Sequence, residues 1–306
     1  MPADRALSDT AQCRRQIRRR RPHALRVLAA GVTLATLALA GACAHSTPAP
    51  SPTPSPRSSS TRLASPSPTA QAVSRLVRNA RPQPGWRRHT GPVPILVYHA
   101  LGTPPASEPY PGLYVAKAQF VAQMRWLAEH GYQAVTLDEV MRAWFHSGTL
   151  PAKPIVITFD NGYPEQATFA PEVLSRYGWP GVLNEITAGH LHPVQLRRLV
   201  ALGWEIDSHS VSHPDLTTLD GAQLRFQVLA SRRYLQRLLH IPVNSFCYPS
   251  SKYDAAVISA VRAAGYSNAT TENFGYATRD DPYQLPRFEI EGGQGVAGLA
   301  ADLRGG

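Results

Sequence analysis

His209 and His213 stand four residues apart in Ser208-His209-Ser210-Val211-Ser212-His213, and a loop that turned helically would bring both rings to one face. Two imidazoles so placed suit a divalent cation, although surface histidines account for many such pairs. Upstream, Ile157-Thr158-Phe159 runs into Asp160-Asn161-Gly162. That reads either as a carboxylate at a strand end facing a pocket or as an ordinary Asp-Asn-Gly turn. His99 closes Pro94-Ile95-Leu96-Val97-Tyr98-His99, where a lone histidine is ordinarily a hydrogen-bonded structural residue. Phe246-Cys247-Tyr248-Pro249-Ser250-Ser251 runs from a strand into a loop, with Cys247 read as a small buried hydrophobe. Arg287 ends Asp281-Pro282-Tyr283-Gln284-Leu285-Pro286-Arg287, placed to pair with a buried carboxylate or with solvent.

The elements that must hold these groups follow from periodicity. Short apolar runs predict strands at Ile95–Tyr98, Gln133–Val135, Ile155–Phe159, Val182–Ile186, Trp204–Asp207, Ser245–Tyr248 and Asn268–Thr270. Helical spacing predicts Ala118–His130, Pro171–Tyr177, Pro193–Leu202, Gly221–Leu239 and Tyr253–Ala264 between them. About seven strands each followed by a helix argue for an α/β fold with a parallel sheet, open or closed into a barrel. In such folds chemistry sits at the C-terminal ends of the strands, where these motifs fall.

Charge excludes one class of partner. The formal net charge of the 306 residues is +10. Counted in parts it is +6 over residues 1–43, +7 over 44–90 and −3 over 91–306. The folded region is mildly acidic, so a groove for nucleic acid is not expected. The leader carries Arg14, Arg15 and Arg18 to Arg21, then an apolar run from Val27 to Ala42, too short for a membrane span of about 20 residues and suited to an export signal. It closes on Leu39-Ala40-Gly41-Ala42-Cys43, which resembles a bacterial lipobox and predicts acylation of Cys43. Cleavage near Ala42 or an uncleaved anchor are the alternatives. Only Cys247 would remain in the mature domain, which excludes an intrachain disulfide. Alternating prolines from Pro48 to Pro56 in a Ser/Thr-rich stretch predict an extended spacer, so residues 44–90 read as linker and 91–306 as a single catalytic domain.

Taken in order, the motifs resemble the polysaccharide deacetylase family, also called NodB-type or carbohydrate esterase 4, over roughly Pro92 to Ile290. The Tyr-His at the first strand resembles the branch acting on poly-N-acetylglucosamine. The resemblance implies a distorted (β/α) barrel and a divalent metal, with zinc the expected one. It implies Asp160 as catalytic base, His99 as general acid, and His209, His213 and Asn161 at the metal positions. Ser250, through its backbone N–H, with Tyr248 and Arg287, would lie on the oxyanion and substrate side. Tyr98, Tyr163 and Tyr248 read either as sugar platforms or as core. The chemistry implied is hydrolysis of N-acetyl groups on a cell-surface or extracellular polysaccharide, by a lipoprotein on the outer face of the cytoplasmic membrane or a secreted protein. Three departures stand out. Asn161 replaces the family's metal-binding Asp, Cys247 its Arg, and Ser250 its Tyr. A carbohydrate-binding pseudoenzyme and a hydrolase of another amide or ester therefore remain as alternatives. Asp207, two residues before His209, is placed to supply the charge Asn161 lacks or to cap the following loop.

Overall fold

The computed structural model describes residues 76–189 and 191–305; the predicted leader, Cys43 and the proline-rich spacer lie outside them. Among the described residues no helix is long and apolar enough to cross a membrane.

The core is a sheet of parallel strands: β1 (Ile95–Tyr98), β4 (Gln133–Val135), β5 (Pro154–Asp160), β6 (Val182–Glu185), β7 (Glu205–Ser208), β8 (Ser245–Cys247), β9 (Asn268–Thr270) and β10 (Phe288–Glu289). Their order is β10-β1-β5-β6-β7-β8-β9, with β4 beside the start of β5. Every residue of β5 is buried, as expected of a central parallel strand covered on both faces. Leu285 bridges to Thr270 while Phe288 pairs with Leu96, so one short segment joins the two sheet edges and closes a distorted (β/α) barrel. β2 (Ala100–Leu101) and β3 (Tyr114–Val115) form a separate parallel pair.

Alternation along the strands sorts the side chains. Tyr98, Ile157, Phe159, Leu183, Ile206 and Phe246 pack in one cluster with Phe120, Met124 and Leu127 of α1 (Lys117–Glu129). Ile95, Val156 and Val182 lie on the other face and pack against Val140 and Trp144 of α2 (Leu137–Phe145). Thr158 and Asp160 share that inner face, two and four residues beyond Val156.

The predicted strands are present, with ends shifted by a residue at most. Helices differ more. α3 (Pro164–Ser175) starts seven residues before the predicted Pro171, because Pro164 takes the first turn and Gln166 caps the backbone N–H of Tyr163. α4 (Pro193–Leu202) and α7 (Ala255–Ala263) fall where expected. The segment predicted as one helix is α5 (Gly221–Arg225) and α6 (Ser231–Leu239), joined by a π-helical turn over Phe226–Ala230. α8 (Gly295–Gly305) packs on α1, where Gln123 Nε2 donates to the Gly295 carbonyl at 3.1 Å.

The folded body also begins earlier than Gly91. Val77 N donates to Leu202 O at 3.0 Å and Asn79 N to Gly178 O at 2.8 Å, and Trp86 is buried. Fully buried Asn79 donates through Nδ2 to Ala134 O at 3.1 Å. Residues 76–90 are thus a docked strap, not spacer, held by backbone hydrogen bonds that carry no sequence periodicity.

Candidate active site

Asp160 is the last residue of β5, and its carboxylate is fully buried. Arg287 grips it with two parallel bonds, Nη1 to Oδ1 at 2.9 Å and Nη2 to Oδ2 at 2.8 Å. Asn184 Nδ2 donates to Oδ1 at 2.7 Å and the Cys247 thiol to Oδ2 at 3.2 Å. Two donors on each oxygen fill the acceptor capacity of the carboxylate. Burial, the largest single influence, raises its pKa, but the Arg287 guanidinium and the neighbouring His209 and His99 together more than offset it and hold the carboxyl well below the usual range. Arg287 is itself oriented by Thr271 O at 2.7 Å and Thr158 Oγ1 at 3.0 Å. Of the two sequence readings for Arg287, pairing with a buried carboxylate is the observed one. Arg287 is itself fully buried.

The turn after Asp160 is sharp: Asn161 and Gly162 both have φ of 81°. Asn tolerates this left-handed region, and a Cβ at 162 would strike the Glu185 carboxyl. Gln166, at the start of α3, ties the turn to the end of β1. Its Nε2 donates to Asp160 O at 2.7 Å and His99 O at 2.8 Å. Its Oε1 accepts from Gly162 N at 3.1 Å.

His209 and His213 meet with ring centres 4.6 Å apart, edge to face. The helical turn invoked for this is absent. Ser210 and His213 sit at φ of 69° and 57°, and the Ser210 hydroxyl accepts from His213 N at 2.9 Å. The His209 Nδ1 lies 2.9 Å from the Cys247 carbonyl, which can only accept, so Nδ1 carries the proton and Nε2 keeps its lone pair. Burial pushes the His209 pKa down to about 3 and lowers that of His213, so both rings are neutral at pH 7. The Asn161 Oδ1 is buried without a hydrogen-bond partner. Two neutral imidazoles and an unpartnered amide oxygen fit a divalent ion of zinc type, with less negative charge than a carboxylate would bring. Asp160, His209 and Cys247 also offer ligand atoms within 4.8 Å of one another. That trio is a poorer fit, because the carboxylate is engaged by Arg287 and burial holds the thiol protonated.

His99 stands among carboxylates. Its Nδ1 is 3.9 Å from Glu289 Oε1, and a ring nitrogen lies within 4.8 Å of carboxylate oxygens of Asp160 and Glu272. Burial lowers its pKa, and Asp160 partly offsets that. Burial pushes Glu272 up to about 7, with Arg287 opposing and Asp160 adding. Neither Glu272 nor Glu289 was singled out from sequence. Glu272 lies just past β9, the strand-end position that marks the other motifs.

Tyr248 is fully buried; its hydroxyl donates to Tyr283 O at 3.0 Å and its ring stacks on Tyr253 at 4.7 Å. Tyr98 is likewise core, between Phe120 and Phe159. Tyr163 instead lines a 550 Å³ groove with Tyr114, Lys117 and Glu165. Ser250 is exposed with φ of 51° in the loop after β8. Asp207 shares a row with Asn184 and Asp160, but its Oδ1 accepts from Ser245 N at 3.1 Å and burial raises its pKa to about 7. His209 turns to Cys247, so Asp207 orients neither histidine.

A parallel (β/α) barrel with a clamped carboxylate and a histidine pair at its strand C-terminal ends is the frame of a hydrolase. The polysaccharide deacetylase family model matches residues 147–269. It is 28% identical over 215 residues to YxkH of Bacillus subtilis (strain 168), assigned to the polysaccharide deacetylases, covering 68% of this chain and 75% of that protein. A 60-residue stretch, 20% of this chain and 9% of the relative, is 38% identical to the poly-beta-1,6-N-acetyl-D-glucosamine N-deacetylase of Escherichia coli (strain K12). The fold matches Streptococcus pyogenes deacetylase PplD, solved with acetate, at a TM-score of 0.65 and 24% identity, over 70% of this chain and 99% of that one. A polysaccharide deacetylase from Bacillus cereus matches at 0.61 and 24%, covering 70% and 69%. The domain is accordingly that of a hydrolase acting on polysaccharide acetyl groups.

Proposed function

We propose that the domain is a metal-dependent de-N-acetylase of an N-acetylglucosamine-containing polysaccharide at the cell surface or outside the cell. The observation that carries this is the Asp160 carboxylate, buried and clamped by Arg287 beside His99 and His209. His209, His213 and Asn161 would hold a divalent ion, zinc by the donor types, which when bound supplies Lewis-acid polarisation of the acetyl group and a lowered water pKa.

The chain's own residues do the rest. Arg287 keeps Asp160 ionised at every working pH, so a fixed negative charge faces the attacking water. For Asp160 to accept a proton, the weakest of its four donors, the Cys247 thiol, must yield its place. His99 delivers a proton to the departing sugar amine, which otherwise leaves badly. Asp160 and Glu289 favour its imidazolium against burial, and Glu272, at about 7, is matched to proton exchange near neutrality. The Tyr114–Tyr163 groove supports a neighbouring sugar, with the two rings 6.4 Å apart. The Ser250 backbone N–H, on an open loop, is the proposed oxyanion donor.

Upstream of the described residues, the reading is a lipid anchor at Cys43 and a spacer. Metabolic labelling with a fatty acid tests it, and an unlabelled wild type rules the anchor out. The function itself is tested by acetate release from poly-N-acetylglucosamine by the metal-loaded wild type and by Asp160→Asn and His99→Ala. Each substitution should lower turnover about 10²–10⁴-fold, compared at a temperature where circular dichroism shows each variant folded, since Asp160→Asn leaves Arg287 a buried lone charge. A folded, metal-loaded wild type that releases no acetate would leave the pseudoenzyme reading in its place.

A further inference from the structure

The helical segment Gly221–Leu239 bears a charge unlike the rest of the domain. From Gly221 to His240 there are four arginines and no acidic residue, while residues 91–306 together are net −3. One of the four is structural: Arg232 donates to Val243 O at 2.8 Å and Ala264 O at 3.0 Å and lies over the Tyr266 ring. Arg225, Arg233 and Arg237 are exposed, and none makes a hydrogen bond or ion pair among the described residues. Arg233 and Arg237, one turn apart, repel each other with nothing between them.

These three guanidiniums border a 390 Å³ groove together with Phe226 and Leu229. Phe226 is 58% exposed, and Tyr234 beside Arg233 is 38% exposed. A basic helical face with a protruding aromatic ring suits an interface that is anionic on its surface and apolar just beneath. We propose that this face docks on an anionic membrane surface, with Arg225, Arg233 and Arg237 on lipid phosphates and Phe226 seated below them. A soluble polyphosphate would satisfy the arginines but give the exposed ring no apolar phase to enter, which is why the membrane is favoured. This contact is made by the folded domain and is separate from any acyl group at Cys43.

The test uses the full chain carrying Cys43→Ser, so that acylation plays no part, sedimented with phosphatidylglycerol/phosphatidylcholine vesicles or phosphatidylcholine alone. Replacing the three arginines by Gln should weaken binding to the anionic vesicles by about fivefold per residue, on the order of 100-fold together, with circular dichroism unchanged. The basic residues upstream are common to all variants and drop out of the comparison. In a second measurement, F226W fluorescence should shift to the blue on anionic vesicles. Binding by the triple variant within about twofold of its parent, or no shift in F226W, overturns the proposal. An arginine-dependent affinity for soluble poly(glycerol phosphate) without the fluorescence shift overturns it too, in favour of a soluble polyanion.

Discussion

Replacing Arg287 by Ala tests the Asp160 clamp most directly. Both partners are fully buried and meet through two bonds of 2.9 and 2.8 Å. Removing one member of such a pair leaves an uncompensated charge in the interior and costs ~3–5 kcal/mol. For a folded body of this size that lowers Tm by roughly 6–20 °C. The pH dependence should change sign as well. In the wild type the depressed Asp160 pKa contributes stability that is present above the unfolded value near 3.9 and lost as pH falls through the folded one. Without Arg287 burial dominates and the folded pKa is raised, so the contribution is greatest at low pH and is lost as pH rises. Urea titrations at pH 5, 7 and 8 should then show Arg287→Ala losing stability relative to wild type as pH increases. Asp160→Asn combined with Arg287→Met should recover part of the loss, because no lone charge is left. A loss under about 1 kcal/mol at pH 7, or a pH slope equal to that of the wild type, would refute the clamp.

Two further outcomes follow from the site. Glu272→Gln should flatten the alkaline limb of the acetate-release profile near pH 7, because the wild-type carboxyl, at about 7, loses its proton there and the amide does not; coincident profiles from pH 5.5 to 9 would remove Glu272 from the proton path. Asn161→Asp should tighten zinc binding on the order of tenfold or more through one added ligand charge, read by chelator competition. Asp207→Ala should leave metal content unchanged, since Asp207 bonds to Ser245 N and not to a histidine. Loss of metal from a folded Asp207→Ala protein would restore the compensation idea that the geometry argues against.

What could be read from sequence was what is local. Buried parallel strands are short apolar runs, and Ile95–Tyr98, Gln133–Val135 and Asn268–Thr270 match to the residue. The strand ends then located Asp160, His99 and His209. α2 lies outside every predicted element, although Thr136 and Glu139 form a capping box at its start, a local helix signal. The partner of Asp160 was beyond reach in a different way. Arg287 lies 127 residues downstream, and no spacing rule links them. Cys247, at the position where the resembling family carries Arg, touches both members of the pair. The guanidinium that meets Asp160 is supplied by the segment that closes the barrel, a pairing visible only in three dimensions. The four-residue spacing of His209 and His213 pointed to the right pair for the wrong reason, since left-handed Ser210 and His213 bring the rings together.

The docked strap has a consequence for aim. Its hydrogen bonds go to Leu202 and Gly178, where α4 and the end of α3 hand the chain back to the strands, the pole opposite the catalytic mouth. It lies so close that a Cβ on Gly203 would strike Ala80 and Leu76. Any pull from upstream therefore reaches the barrel at its rear, like a mooring line made fast at the stern. Cutting the chain at Gly91 would strip away that fitting and uncover the apolar surface now sealed by Val77 and Trp86.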